Sequence, residues 1–227
     1  MNQREQFWTD YYGKLSGHTE HWLDYSNERV QAQTFGVVFA AMGPAANRRC
    51  LDVGCGYGQL ARALRSMGSS DVVGIDVTSA FIERLRASEP QGRWEVGSLS
   101  DESFCKSLGR FDLVTLVEVL QYVPVEATLR AAWQLLEPGG RVLAVVPNRE
   151  CPIVGRAMAR FDGSYLPPTV AELIGIGGQL GGASWGIQGM FFGEDQVIAP
   201  YRVSPWTQRP DFHEPPNRLV FAAVKPS

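Results

Sequence analysis

The sequence predicts an α/β protein built on one doubly wound sheet of seven strands, parallel except for a C-terminal antiparallel strand. Three observations carry that expectation. Between Arg49 and Val146 five short β-rich runs alternate with helical patterns, the signature of repeated βαβ units. The run Phe111–Val117 is almost continuously apolar, as a central parallel strand covered on both faces should be. A glycine-rich turn, Gly54-Cys55-Gly56-Tyr57-Gly58, sits between the first strand and the first helix of this array.

The elements follow in order. Residues 3–42 read as two or three helices, with apolar positions at Phe7, Tyr11 and Leu15 and again at Leu23, Tyr25, Val30, Phe35, Val38 and Phe39. Leu15-Ser16-Gly17-His18 is a break between them, and Gly43-Pro44 closes the segment. The first strand is Arg49–Val53, and its helix runs to Ser66, stopped by Gly68. The second strand is Val72–Asp76. Thr78 or Ser79 caps the next helix, which ends at Pro90. A short third strand, Arg93–Val96, precedes a helix at Glu102–Leu108. After the fourth strand a helix covers Val125–Leu136 and stops at Pro138-Gly139-Gly140. The fifth strand is Arg141–Val146. Beyond residue 150 the periodicity loosens. A glycine-weakened helix at Val170–Leu180 and strands at Ile187–Phe192 and Arg218–Val224 complete the reading, with a Pro- and aromatic-rich flap between the two strands. The expected layout is a single domain, with a helical lid at 1–43, a binding core at 49–148, substrate-side loops at 149–217 and a last strand at 218–224.

Composition narrows the function classes. A chain of 227 residues with 44% hydrophobic and 20% charged residues is ordinary for a globular domain. A net charge of −3 without a basic block argues against nucleic acid as partner. No apolar run is long enough to span a bilayer and the N-terminus has no signal-peptide core, so the expected setting is the cytoplasm, away from membranes. The four cysteines have no zinc spacing, and His18-x-x-His21 lacks an evident third ligand, so no metal is expected.

Right-handed crossovers bring the carboxyl ends of the parallel strands to one edge of the sheet, where ligands bind. Asp52, Asp76, Ser98 and Glu118 therefore belong to one crevice. The glycines let the turn approach a ligand closely. An acid at the end of the next strand is placed to hold ribose hydroxyls. A dinucleotide fingerprint would put its third glycine at position 59, which is Gln59. Asp52 at the mouth of the turn would also repel a pyrophosphate; it suits a cationic ligand end, such as an amino acid's ammonium.

Asp52-x-Gly54-x-Gly56-x-Gly58 with Asp76 resembles motif I and the acidic second-strand end of class I S-adenosyl-L-methionine (SAM) dependent methyltransferases. Phe111–Leu120 is similar to the family's motif IV. Leu136-Glu137-Pro138-Gly139-Gly140 looks like the lead into its fifth strand. Pro147-Asn148-Arg149 is similar to the corresponding strand end of ubiquinone-type and natural-product O-methyltransferases. The resemblance covers 49–148 most firmly and implies a Rossmann-like fold. It implies that Asp52 receives the ammonium of SAM and that Gly54, Gly56, Gly58 and Gln59 line its methionine part. Asp76 would hold the ribose and Val77 pack on the adenine, with Ser98 and Leu99 meeting the adenine edge. The family commonly has an Asp where this chain has Ser98. Glu118 would lie beside the methionine end.

Methyl transfer from a sulfonium is an in-line displacement that needs alignment and exclusion of water more than a fixed catalytic triad. The aromatic N-terminal segment (Trp8, Tyr11, Tyr12, His18, His21, Trp22, Tyr25) is the expected substrate cover. His18 and His21 are the candidates for the catalytic base, and Tyr12 is a further catalytic candidate. Trp22, Tyr25, Tyr122, Tyr165 and Met190 are the candidates for substrate contact, with Trp185, Glu194 and Tyr201 of the later segments as further ones. The expected activity is methyl transfer to an O or N atom of a small molecule in specialised metabolite biosynthesis, by a monomer or homodimer, with S-adenosyl-L-homocysteine (SAH) as product. A peptide or protein acceptor, a non-catalytic SAM-binding subunit and an NAD oxidoreductase are the alternatives, the last disfavoured by Gln59.

Overall fold

The computed structural model describes residues 3–15, 28–182, 184–192 and 202–227. Its elements are α1 (Gln3–Leu15), α2 (Glu28–Met42), β1 (Arg49–Val53), α3 (Gln59–Ser66), β2 (Asp71–Asp76), α4 (Ser79–Ser88), β3 (Arg93–Val96), α5 (Glu102–Leu108), β4 (Phe111–Val117), α6 (Val125–Gln134), β5 (Leu136–Pro147), α7 (Pro152–Arg160), α8 (Val170–Gln179), β6 (Ser184–Phe191), β7 (Arg202–Val203) and β8 (Arg218–Val224).

The strands form one mixed sheet in the order β3-β2-β1-β4-β5-β8-β6-β7. The pairs from β3 through β5 are parallel, and β8, β6 and β7 each pair antiparallel to their neighbours. The described sheet therefore has eight strands rather than seven, because two residues at the edge, Arg202 and Val203, pair with Phe191 and Met190. The antiparallel part is correspondingly larger than one strand. So short an edge strand carries no periodic pattern that a sequence could reveal.

Alternation along the strands builds two apolar layers. Leu51, Val53, Val73, Ile75, Val114 and Leu116 face a cluster completed by Leu129 of α6 and Leu173 of α8. Cys50, Val72, Leu113 and Leu143 face the opposite cluster with Val38 and Met42 of α2, Leu64 of α3, and Ile82 and Leu85 of α4. Period-two alternation in the strands and period-3.6 spacing in the helices thus meet on both sides of the sheet. Each fully enclosed Leu contributes roughly 2 kcal/mol of transfer free energy. Among the described residues α2 belongs mainly to this covering layer, with Thr34 and Phe35 also reaching the sheet edge that α1 crosses as a lid.

Local signals explain most element ends. Asp101 caps α5 by accepting from Phe104 N–H at 3.0 Å. Thr169 and Glu172 form a capping box that holds α8 despite its glycines. α6 stops at Gln134 rather than at 136 because Leu136 already pairs with Phe111 across a register irregularity. α7 is a helix that the loosened periodicity does not announce. It fully buries none of its residues and is covered only in part along Val154, Ala157 and Met158; Pro152 in its first turn is the clearest local cue.

α1 is fastened by polar and aromatic contacts. Trp8 is buried, its indole N–H donates to the Ser164 carbonyl at 2.6 Å, and its ring packs on Tyr122 and Phe161 at 4.5 and 4.9 Å between centroids. Arg4 donates to the Val123 carbonyl at 3.1 Å. No described helix is long and apolar enough to cross a membrane.

Candidate functional site

The carboxyl ends of β1, β2, β3 and β4 open into a cavity of about 370 Å³ that α1 crosses. That volume lies within the range of small-molecule sites. Asp52, Gly54, Gly56, Gln59, Asp76, Val77, Ser98, Leu99 and Glu118 all line it, together with Tyr12 and Tyr122. Parallel register makes this convergence unavoidable: Asp52 lies opposite Gly74 of β2 and Thr115 of β4, and Asp76 follows one residue beyond the Val53–Ile75 pair.

Asp52 is almost wholly buried. Its carboxylate accepts from the Thr115 hydroxyl at 3.1 Å and from the Ala61 N–H in the first turn of α3. It thereby serves a helix end whose preceding residue, Gly58, offers no side-chain cap. Burial, reinforced by the charge of Asp76, pushes its pKa from 3.8 up to about 7, against the lowering effect of those hydrogen bonds.

Asp76 is buried as well. One of its carboxylate oxygens accepts from Thr78 N–H at 2.9 Å and the other from Gly56 N–H at 3.0 Å. Burial raises its pKa although these N–H groups oppose the shift. The Val77 N–H and the Thr78 hydroxyl act on the same carboxylate in the same sense.

The three loop glycines have different reasons. Gly54 lies at φ 67°, and a Cβ there would stand 2.4 Å from Val119 Cγ2. Gly56 lies at φ 51° with open space where its Cβ would be, and its N–H is the one that holds Asp76. Gly58 faces away from the cavity: a Cβ would meet Leu85 and the Trp94 ring at 2.9 Å, so it serves the turn and the packing of α3 rather than the cavity wall. Gly54→Ala is expected to lower stability by about 1–3 kcal/mol through overpacking and a disfavoured φ. Urea denaturation checks this; an unchanged midpoint would mean that Val119 yields freely.

At the far end of the cavity Glu118 sits at φ 57°, a left-handed conformation unusual for a non-glycine residue. It pairs with Arg218 at the start of β8 and accepts from Gln121 Nε2 at 3.3 Å. The Tyr12 hydroxyl donates to that of Tyr122 at 3.0 Å. Tyr165 stands behind this layer rather than on the cavity wall, 5.8 Å from the Tyr122 ring. Burial and the Glu118 charge push its phenol pKa up. Met190 is fully enclosed in the core on the α2 side and does not reach the cavity. Trp185 packs near Phe221 and also lies elsewhere. His18, His21, Trp22, Tyr25, Glu194 and Tyr201 lie outside the described residues.

Sequence reasoning does not find Glu5, Phe81 or Arg218 as wall residues. Glu5 is buried, with one carboxylate oxygen 2.9 Å from Ser98 Oγ and the other 3.0 Å from Ser100 Oγ. The Ser98 hydroxyl, which could have faced a ligand as acceptor, is thus a donor to α1. No group of His, Cys, Asp and Glu suited to a metal ion occurs among the described residues, and the four cysteines are free.

Residues 50–140 match a family described as "Methyltransferase domain". The chain is 31% identical over 145 residues to ubiquinone biosynthesis O-methyltransferase of Escherichia coli, covering 60% of each chain. It is 40% identical over 108 residues to the enzyme of that name from Nitrosococcus oceani, covering 46% of this chain and 45% of the other. The matches therefore span between less than half and three fifths of those relatives' length. Among solved structures, it is similar in fold to a SAM-dependent methyltransferase from Thermotoga maritima, with TM-score 0.69 and 16% identity over 94% of this chain and 97% of that one. It is also similar to magnesium protoporphyrin IX methyltransferase from Synechocystis with bound SAH, with TM-score 0.67 and 16% identity over 98% and 100%. The glycine turn, the paired acids and the sheet order accord with these matches: residues 50–140 resemble a methyltransferase domain, and the fold is similar to that of solved SAM-dependent methyltransferases.

Proposed function

We propose that this protein binds SAM along the sheet edge and transfers its methyl group to an O or N atom of a small biosynthetic molecule, leaving SAH. The observation that carries the reading is the pair of buried carboxylates on adjacent parallel strands in one cavity. Asp52, with a pKa raised to about 7, regains a charge partner when an ammonium group arrives. Asp76, oriented by the Gly56 and Thr78 N–H groups, is the acceptor placed to receive ribose hydroxyls. Gly54 and Gly56 clear the space between them. Bound SAM supplies an electrophilic methyl on a sulfonium; the chain's part is to fix the donor, align the acceptor and keep out water.

The acceptor would approach from the Glu118 side. Trp8, Tyr12 and Tyr122 give that end an aromatic wall suited to a flat molecule and to the sulfonium charge. The Tyr12–Tyr122 hydroxyl pair and the Glu118–Arg218 pair are the described groups that could position an acceptor or take its proton. The likeness to enzymes named for O-methylation in ubiquinone biosynthesis favours an oxygen acceptor. The reading keeps a small-molecule partner, no nucleic acid and no membrane, a monomer or homodimer, and a cytoplasmic setting consistent with four free cysteines.

Two measurements test it. Calorimetry is expected to show one SAM or SAH molecule per chain. Incubation with methyl-labelled SAM and phenolic or amine metabolites is expected to move label to one of them. Label appearing only on peptides would replace the acceptor class. Tight SAM binding with no label transferred to metabolite or peptide would make the chain a non-catalytic SAM-binding subunit.

A further inference from the structure

We propose that Arg218, brought in by β8, is a positioning residue for the acceptor end of the cavity: its pairing with Glu118 fixes the corner that turns residues 119–122 into the cavity wall, and Glu118 is the anchor of that corner rather than the base. This role rests on the methyl-transfer reading above and separates the two functions that the pair has there.

β4 ends at Val117, and Glu118 follows at φ 57°. That left-handed conformation favours glycine, because a β-carbon there is crowded. A non-glycine residue persists in it where its surroundings hold it. Three contacts do so. The Glu118 N–H donates to the Val145 carbonyl of β5 at 2.8 Å. One carboxylate oxygen pairs with Arg218 Nε, and the other accepts from Gln121 Nε2 at 3.3 Å.

The corner decides where the next side chains go. Val119 lines the cavity, with its Cγ2 filling the space where a Gly54 Cβ would stand. Leu120 is fully buried in the core. Gln121 is 1% exposed, and its carbonyl accepts from Leu166 N–H at 2.9 Å, which ties the turn to the segment carrying Tyr165. Tyr122 closes the turn by donating its N–H to the Val119 carbonyl at 2.9 Å, and its ring reaches the cavity beside Tyr12 and Trp8. Both carboxylate oxygens of Glu118 therefore serve to hold this wall. The Glu118 and Arg218 side chains are each 16% exposed, so the pair is largely desolvated and removing one partner strands the other's charge. Tyr12 from α1, Tyr122 from the turn and Tyr165 behind it are the other titratable groups at this end.

The test follows methyl transfer to the acceptor that takes label from SAM, from about pH 6 to about pH 9, in Arg218→Met, Glu118→Gln and the double variant. Arg218→Met strands the Glu118 charge, so kcat/KM for the acceptor is expected to fall by about 30- to 300-fold, while SAH affinity by calorimetry stays within about tenfold. Glu118→Gln keeps the shape: its carbonyl still accepts from Arg218, and the Gln121 amide can turn over to meet the new N–H donors, since its buried Oε1 has no partner. A loss of at most about tenfold in kcat, with the shape of the pH profile kept, is expected. The double variant removes both charges together and should recover at least about tenfold over Arg218→Met. Where Arg218→Met fails to fold, the double variant is compared with Glu118→Gln, and acceptor KM and kcat within about threefold of each other are expected. A kcat that drops about 1000-fold or more in Glu118→Gln, with loss of the acid limb of the pH profile, overturns the assignment by making Glu118 the base. An acceptor KM raised as much in the double variant as in Arg218→Met overturns it by placing Arg218 on the acceptor itself. Wild-type protein that binds SAH yet methylates nothing removes the methyl-transfer reading and this role with it, whereas an active wild type whose Arg218→Met variant is unimpaired removes only the role of Arg218.

Discussion

Asp76→Ala is expected to weaken SAM and SAH binding by about 2–4 kcal/mol, roughly 30- to 1000-fold, because it deletes an ionised acceptor for two ribose hydroxyls. It also releases Gly56 N–H and Thr78 N–H, the two donors that orient this carboxylate and tie the glycine turn to β2. Asp76→Asn keeps the side-chain shape and one acceptor oxygen, so its loss should be smaller, about tenfold. Calorimetry on the two variants separates charge from shape. Unchanged affinity in Asp76→Ala would remove the ribose assignment and with it the direction in which the nucleoside is laid along the edge.

Asp52→Asn is expected to do two opposite things. Burial holds the folded carboxyl at about 7 against an ordinary 3.8. Between those values the folded state keeps a proton that the unfolded chain has released. Stability of the ligand-free protein must therefore fall as pH rises from about 4 to about 7, by up to about 4 kcal/mol from this group. The amide carries no such penalty and can still accept from Thr115 and Ala61. Asp52→Asn should accordingly be more stable than wild type at pH 8, by about 1–4 kcal/mol, with the gap closing towards pH 4. Urea midpoints of both proteins across that range check the sign, and parallel profiles would mean that Asp52 is already compensated in the folded state. The same substitution should abolish tight SAM binding. For the wild type, affinity for a cationic ligand should fall by up to tenfold per pH unit below about 7, since the ammonium must then displace a proton. A stability penalty in the empty protein that a bound cation relieves is the trade expected of a binding group.

The parts of this protein legible in one dimension are those fixed by neighbours in the chain. Apolar runs of strand length, the Gly54–Gly58 turn and the acids that follow β1 and β2 are local patterns. Chain connectivity then fixes their relative placement, because parallel strands with right-handed crossovers have to present the same ends to one edge. So Asp52, Asp76, Ser98 and Glu118 could be grouped before any coordinate was known, and all four do line the cavity. Gly58 shows the limit of such reasoning. It is needed for the turn, yet its missing side chain makes room for Trp94 rather than for a ligand.

What only the tertiary structure decides is which distant side chains complete that edge. Glu5 meets Ser98 across 93 positions of sequence, and Arg218 meets Glu118 across 100. Neither contact leaves a trace in periodicity, capping or spacing, because its geometry is set by where α1 and β8 come to rest against the sheet. Met190 and Tyr165, expected as substrate contacts, lie off the cavity wall instead, Met190 enclosed in the core and Tyr165 partly buried against Tyr122, through packing that no local pattern encodes. The raised pKa of Asp52 has the same origin: a carboxylate is ordinary in sequence and becomes a proton-binding, cation-seeking group only when the fold takes its water away. The sequence by itself determined the scaffold and the cofactor edge, since both follow from short-range patterns and chain connectivity. The contact of α1 with the sheet edge, the Glu118–Arg218 ion pair and the electrostatics of the buried acids were decided by the fold, since each depends on long-range packing and desolvation.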